Sequence, residues 1–530
     1  MPHVLTLDFT PEEWERRDRL HEKAAQALNV PSDKINGIRI TRLSLDARGR
    51  SPLYHAMLEV FVKPEESPRT ETPRRETNPL PANAPEVLVV GMGPAGLFAA
   101  LTLAEAGIRP VIFERGKNVR DRKRDVALIG KEGLLDPDSN YSFGEGGAGC
   151  FSDGKLYTRS NKRGDIGRVL QTFVQFGAKE EIRYQAHPHL GSDRMPKMVE
   201  NMRESLIRAG AEIHFSTRIT AINADKNGHF STVTDQNGNE YKGKALVLAC
   251  GNSASDVYRY LHRQGITLEE KPFAMGVRLE HPQHVIDAMQ YRGAGKRHAL
   301  PPAEYAFAEQ CRGKGVFSFC MCPGGVVVPA STQANTLVVN GMSDSGRRSP
   351  WANAGWVVSV NREILQAENI LPSAPPFGLL DFQQQTERHF FKPGAGFAAP
   401  AQRLTDFLAR RTSTGLPACS YAPGVFSADM DEYLPPFIAR ALREVLDRIA
   451  RKKRGFLTEE AVLLGLESRT SAPVRIVRDP DTLEHPCMPG LYPCGEGAGY
   501  AGGITSSAID GINCAEKILQ KLNRHGTKRP

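Results

Sequence analysis

Residues 87–107, VLVVGMGPAGLFAALTLAEAG, decide the fold. Val87, Leu88, Val89 and Val90 are a short apolar run, the form a strand takes when a parallel sheet buries both its faces. Gly91, Gly93 and Gly96 follow at the G-x-G-x-x-G spacing, and 97–106 reads as a helix that stops at Gly107. A second apolar run, 111–113, ends at Glu114, 18 residues beyond Gly96. In a dinucleotide-binding unit each part has a mechanical task. Gly91 makes the tight turn, Gly93 lets the backbone approach a pyrophosphate, and Gly96 lets helix and strand pack closely. Pro94 and Ala95, within the same turn, are expected cofactor contacts, and the first amides of the helix face the phosphate with a partial positive charge. Glu114 is placed to accept hydrogen bonds from the adenosine ribose, with Arg115 beside it.

The same stretch has a second physical reading. Residues 87–104 carry no charge, and a run of roughly 18 such residues approaches the length of a membrane span. Three glycines and Pro94 interrupt it, and the Pro-rich polar segment before it is not the basic start of a signal peptide. No transmembrane segment is therefore expected.

Working outward, residues 64–85 hold six prolines and almost no apolar side chains, a semi-extended linker. Before it, 1–63 reads as a small α/β module. Residues 3–9 form a strand, and Thr10, Pro11 and Glu13 form a capping box that starts a helix. Strand-like runs follow at 38–45 and 53–62. The 13 basic and 13 acidic residues up to Pro85 balance, so the module is read as a scaffold or interface, with no nucleic acid as partner. After Glu114 comes a basic run (Arg115, Lys117, Arg120, Arg122, Lys123, Arg124), read chiefly as a solvated helix face. A helix at 196–208, a strand at 212–216 and a turn at Asn237-Gly238 continue the alternation. ALVLACGNSA (245–254) is an apolar strand entering a small-residue turn, which places Ala249 and Gly251 against the cofactor. Residues 256–460 lose this rhythm and read as an inserted α+β substrate or cap domain. The cofactor domain thus splits into 86–255 and 461–525, with a basic tail at 526–530.

The C-terminal motif LYPCGEGAGYAGGITSSAIDGINCAEKI (491–518) repeats the strand–turn–helix logic. It resembles the strand and Gly-Glu of glutathione-reductase-like FAD proteins. That resemblance implies Gly495 and Glu496 at the ribityl or pyrophosphate part of FAD, and Gly503, Ile504 and Ser506 at the flavin. A helix N-terminus there would stabilise negative charge on the reduced ring. The stretch 86–525 resembles a bacterial family of uncharacterised FAD-dependent dehydrogenases, on NYSFGEGGAGCFSDGKLYTR (140–159), SFCMCPGGVVVPAS (318–331) and LESRTSAPVRI (466–476). The N-terminal module, with SLDAR at 44–48, resembles it too. The implied architecture is a Rossmann-like FAD domain with an inserted cap. The implied activity moves hydride or electrons between flavin and an unidentified small molecule.

Within 144–155, Gly146, Gly147 and Ser152 are read as flavin or phosphate contacts. Lys155 could raise the flavin potential by stabilising the anionic reduced form. Lys155, His187 and His189 are the candidate catalytic groups, although hydrogen-bonded structural histidines are the commoner case. Cys320 and Cys322 form a C-x-C read mainly as buried thiols, and no zinc pattern is present. Arg347, Arg348, Arg469 and Arg475 could clamp an anion or form surface ion pairs. There is no second G-x-G-x-x-G unit, so NAD(P)H would enter the cleft transiently, or electrons would come from the substrate or a protein donor or acceptor. A polyprenyl-like or RNA substrate, and a non-catalytic flavin scaffold or redox sensor, are the alternatives. The nine cysteines show no disulfide-like spacing, which points to a reducing, cytoplasmic setting. The net charge of +8 over 530 residues reads as a mildly basic surface. Oligomeric state is left open.

Overall fold

The computed structural model describes residues 2–49, 51–63, 78–157, 164–292, 300–370 and 372–526. Most of the expected linker, Thr158 and Arg159 of the 140–159 motif, and the tail from 527 lie outside these residues.

Five parallel strands form the cofactor sheet, in the order Leu491–Pro493, Leu246–Leu248, Glu86–Val90, Arg109–Phe113 and Glu212–His214. Its apolar runs do not alternate with polar residues because both faces are covered. Val87, Val89, Ile112 and Val247 point into one core with the helices Pro94–Glu105 and Ile504–Gly526. Leu88, Val111, Phe113, Leu246 and Leu248 point into the opposite core, which also takes Tyr258 and Val474. A three-stranded meander, Ile219–Ala224, Phe230–Asp235 and Glu240–Lys242, turns at Asn237-Gly238 and adds Ile222, Phe230 and Val233 to that second core.

The cap is built on a seven-stranded sheet. Its order is Ala308–Cys311, Lys314–Cys322, Trp351–Val360, Phe273–Pro282, Val462–Glu467, Ala399–Arg403 and Val425–Ser427. The amphipathic helix Pro436–Lys452 packs on it through Phe437, Leu442, Val445 and Ile449. This corrects the expected boundary at 461. Val462–Glu467 lies in the cap sheet, buried at every residue between Phe273–Pro282 and Ala399–Arg403. A six-residue apolar run fits the middle of either sheet, so only long-range pairing assigns it. The chain rejoins the cofactor sheet at Leu491–Pro493.

In the N-terminal module His3–Phe9, Gly37–Asp46 and Leu53–Phe61 form an antiparallel sheet with Leu53–Phe61 central. The Thr10 hydroxyl accepts from the Glu13 amide at 3.2 Å while the Glu13 carboxylate accepts from the Thr10 amide at 2.8 Å, closing the capping box. The outer strand is tied to the cofactor half by Leu43 N–H to Tyr184 O at 2.7 Å and Ala186 N–H to Leu43 O at 2.8 Å. No helix among the described residues is long and apolar enough to cross a membrane.

Candidate active site

Two kinds of glycine meet at the first turn. Gly91 has φ +97°, and a Cβ there would lie 2.2 Å from the Ala249 carbonyl oxygen. A Cβ on Gly96 would lie 1.9 Å from the Gly91 carbonyl oxygen. The fold itself requires both. Gly93 differs: its φ is −78°, and an added Cβ would meet only the Cα of Gly147, at an ordinary 3.6 Å. Gly502 and Gly503 have no atom within 4 Å of such a Cβ. At these three positions the chain leaves open space that its own packing does not need.

That space is a cavity of about 380 Å³ lined by Gly93, Pro94, Glu114, Gly147, Glu496 and Gly503, among others. The helices Pro94–Glu105 and Ile504–Gly526 both begin at its wall. Their first amides have no intrahelical acceptor, so two partial positive charges aim at one place. The two helices cross in backbone contact, since a Cβ on Gly511 would lie 2.1 Å from the Ala95 carbonyl oxygen. Glycine-free helices could not bring both N-termini so close. The open cradle, the paired helix ends and the acids on either side fit FAD.

A third segment closes the cavity. The turns over 140–151 contain no regular element, and Arg122 holds them from the helix Val119–Glu132. Its guanidinium is fully buried. Nε donates to Asn140 O at 2.8 Å, Nη2 to Tyr141 O at 3.0 Å, and Nη1 to Gly144 O and Glu145 O at 3.1 and 2.7 Å. Burial lowers its pKa from the usual arginine range. Gly146 N–H then donates to Met92 O at 2.9 Å, which docks the loop on the first turn. Reading the whole basic run as a solvated face is therefore corrected at Arg122. Lys123 and Arg124 are exposed as expected.

Glu114 lines the cavity, but its carboxylate also organises protein backbone. Oε1 accepts from the Gly116 and Gly144 amides at 3.0 and 2.9 Å, and Oε2 accepts from Met92 N–H at 2.8 Å. A lone pair remains on Oε2 for a ribose hydroxyl. Arg115 lines the wall beside it, stacked over Phe143 at 4.2 Å and bonded to Asp138 and Asp256. On the other side Asn252 Nδ2 donates to Glu496 Oε1 at 2.9 Å. Burial pushes the Glu496 carboxyl up to about 7, against the pull of Asn252 and Lys271.

Of the other expected cofactor contacts, Gly91, Ala95, Ser152, Ala249, Gly251 and Ile504 line the cavity. Gly96, Gly146, Gly495 and Ser506 do not. The first three act behind the wall: a Cβ on Gly495 would lie 2.8 Å from that of Ala95. Ser506 Oγ instead accepts from the Gly502 amide, and Ser507 takes the wall position. Helical phase at a chain reversal cannot be fixed to one residue from sequence, which explains the slip.

Among the catalytic candidates only Lys155 lines the cavity. Its ammonium donates to the Met321 carbonyl of the cap. Burial opposes its charge, but Cys320, Cys322, Asp153 and Glu304 outweigh that and hold its pKa above the usual value. His187 lies outside the wall, 64% exposed and bonded to Glu304 at 2.6 Å, which raises its pKa. His189 is also outside, its pKa lowered by burial and by Arg347. Arg347 pairs with Asp153 and Arg469 with Glu387, both largely buried, while Arg348 is a surface ion pair. The cap adds Phe319, Cys320, Asn340 and Arg469 to the wall, residues that only the tertiary fold brings here.

Comparison with known proteins places this site in context. Residues 272–470 match a family described as the FAD-dependent protein, C-terminal domain-like, residues 84–128 an FAD binding domain, and residues 1–61 a domain of unknown function. A Clostridium beijerinckii protein described as uncharacterised is 39% identical over 522 residues, 95% of this chain and 96% of its own. A digeranylgeranylglycerophospholipid reductase of Methanocella arvoryzae is 28% identical over 182 residues, 33% of this chain and 41% of that one. A 3-hydroxybenzoate 6-hydroxylase of Polaromonas naphthalenivorans is 29% identical over 181 residues, 32% and 40% of the two chains. A solved salicylate hydroxylase substrate complex superposes with a TM-score of 0.34 at 11% identity, covering 82% of this chain and 78% of that one.

Proposed function

We propose a function from one premise: the chain belongs to the family of FAD-dependent proteins that includes its full-length relative from Clostridium beijerinckii. It is a flavoprotein of the oxidoreductase or monooxygenase type, with FAD as its cofactor. The finer reading is an enzyme that moves an electron pair between flavin and a small molecule held against the cap sheet. One observation carries it: three glycine-rich segments far apart in sequence and the cap residues Phe319, Cys320 and Asn340 share a single cavity. Bound there, FAD supplies the site that accepts or gives hydride. The residues do the rest. Glu114 binds a ribose hydroxyl while fixing three backbone amides. The amides that begin Pro94–Glu105 and Ile504–Gly526 face negative charge. Lys155, Tyr157, Phe319 and Asn340 give the cap side a cation, a phenol, an apolar ring and an amide, a set suited to orienting a small molecule with a polar end.

The wider kinship with glutathione-reductase-like flavoproteins is part of this proposal, supported by the Gly-Glu turn after Leu491–Pro493. Hydroxylation is a second reading, favoured by the FAD binding domain over 84–128 and the partial likeness to a 3-hydroxybenzoate 6-hydroxylase. The partial likeness to a lipid reductase supports reduction of a carbon–carbon double bond instead. A cytoplasmic setting is supported by nine free thiols.

The test is the anaerobic visible spectrum of the FAD-loaded protein with NADH or NADPH. Rapid bleaching of the flavin band makes it a nicotinamide-linked enzyme. Admitting oxygen with candidate aromatic substrates then separates an oxygenated product from simple reduction. A band that no nicotinamide bleaches, and that no substrate or protein donor reduces, leaves a scaffold or sensor and refutes the enzymatic reading.

A further inference from the structure

The cap strand Lys314–Cys322 loses register against Trp351–Val360 beside the cavity. Phe319 pairs with Gly355 but Cys322 with Asn353, so three steps on one strand oppose two on the other. The extra residue is taken up as a bulge in which Cys320 adopts φ +42°. A left-handed cysteine is strained, and such strain persists only where the surroundings enforce it. Here Arg278, fully buried, donates from Nη1 to the Cys320 carbonyl at 2.9 Å. Arg278 is itself fixed by Glu467 at 2.6 Å and Asn340 at 2.6 Å. Lys155 holds the next carbonyl, that of Met321.

The bulge re-aims two thiols. Cys320 lines the FAD cavity, while Cys322 is fully buried behind it. The Cys322 thiol donates to the Cys320 carbonyl at 3.4 Å, which holds the two residues of the bulge together. Lys155 and Arg278 are the cations facing Cys320, and Asp153, Glu467 and Glu496 the anions. The neighbouring Cys322, with the two cations, overcomes burial to hold the Cys320 pKa below the usual thiol range. Cys320 and burial push the Cys322 thiol up. A cavity-facing sulfur beside two cations, with a second thiol two residues away on the same bulge, is an arrangement from which a disulfide forms.

We propose that Cys320 and Cys322 are a redox-active dithiol that exchanges an electron pair with flavin in this cavity. The proposal rests on the functional reading above. In the oxidising direction the S–S bond forms and the Cys322 S–H bond breaks. Two electrons and that proton pass to oxidised flavin, which becomes the reduced anion; the reverse step restores thiolate and thiol. The reduced protein therefore stores two electron pairs, one on flavin and one on sulfur.

The experiment is an anaerobic dithionite titration of FAD-loaded protein previously oxidised with diamide, with alkylation and peptide mapping before and after. Wild type should consume two electron pairs per FAD, and Cys320→Ser one, with the flavin band retained. Cys320 and Cys322 should lose and regain alkylation together, mapped apart from the buried Cys494 and Cys514. Cys322→Ala gives the same count should the first variant misfold. One electron pair in wild type, with both thiols alkylated after diamide, overturns the proposal. Absence of any flavin band is a different signal, and overturns the functional reading beneath it.

Discussion

Replacing Arg122 with methionine keeps the volume of the side chain and removes its charge and all its donors. The carbonyls of Asn140, Tyr141 and Glu145 then lose the donor that holds them, and that of Gly144 keeps only the Gly147 amide. Hydrogen bonds to a charged group contribute roughly 1.5–3 kcal/mol each before the cost of burying that charge. Removing the charge recovers part of the desolvation cost, so the four bonds do not simply add. What remains is carbonyls without donors, each costing about 1–3 kcal/mol, so Arg122→Met should lose roughly 3–5 kcal/mol in all. The loss is concentrated at the loop that Gly146 docks on Met92, so FAD affinity should drop by at least about tenfold, which corresponds to about 1.4 kcal/mol. Equilibrium denaturation in urea, followed by far-UV dichroism, measures the first effect. Quenching of flavin fluorescence on titration measures the second. Stability within about 1 kcal/mol of wild type and unchanged FAD affinity would refute the role given to Arg122.

Three further outcomes follow from the same geometry. Glu114→Ala should lower FAD occupancy and also stability, because three backbone amides lose their acceptor; unchanged flavin content on purification would sink the ribose assignment. Gly511→Val should push apart the helices Pro94–Glu105 and Ile504–Gly526, since its Cβ would sit 2.1 Å from a backbone oxygen, and a normal melting temperature would contradict that contact. Glu496 keeps its proton in the folded, cofactor-free protein up to about 7, whereas the unfolded chain loses it near the ordinary value of 4.5. Its contribution to stability therefore falls as pH rises across that window. Glu496→Gln, which cannot ionise, should gain on wild type by roughly 1–3 kcal/mol between pH 5 and pH 8, and a pH-independent difference in urea midpoints would count against it.

What the sequence discloses here is local. The first strand, turn, helix and acid lie within 29 residues, 86–114, and hydrophobic periodicity plus glycine spacing read them correctly. The Thr10 capping box is equally local and equally legible. Arg122 is not, because its four acceptors lie 18 to 23 residues downstream and the chain shows only one cation among several. The membership of Val462–Glu467 in the cap sheet depends on partners nearly 200 residues away in Phe273–Pro282. Cys320 was legible as half of a C-x-C, but not as a wall of the cavity, since a register shift against a distant strand aims it there. At Ser506 and Ser507 the error is one residue of helical phase, the resolution limit of pattern reading.

Gly93 offers the most direct test of the central claim, that this cavity is the FAD site. Its backbone suits any residue, and its Cβ would touch only Gly147 at 3.6 Å, so Gly93→Val fills the cradle at little cost to the fold. FAD titration of this variant beside wild type, with urea midpoints taken in parallel, is the measurement. The account predicts a folded protein whose FAD affinity falls by about a hundredfold or more, on the order of 3 kcal/mol. Wild-type affinity in a folded Gly93→Val protein would place the cofactor elsewhere and contradict the account.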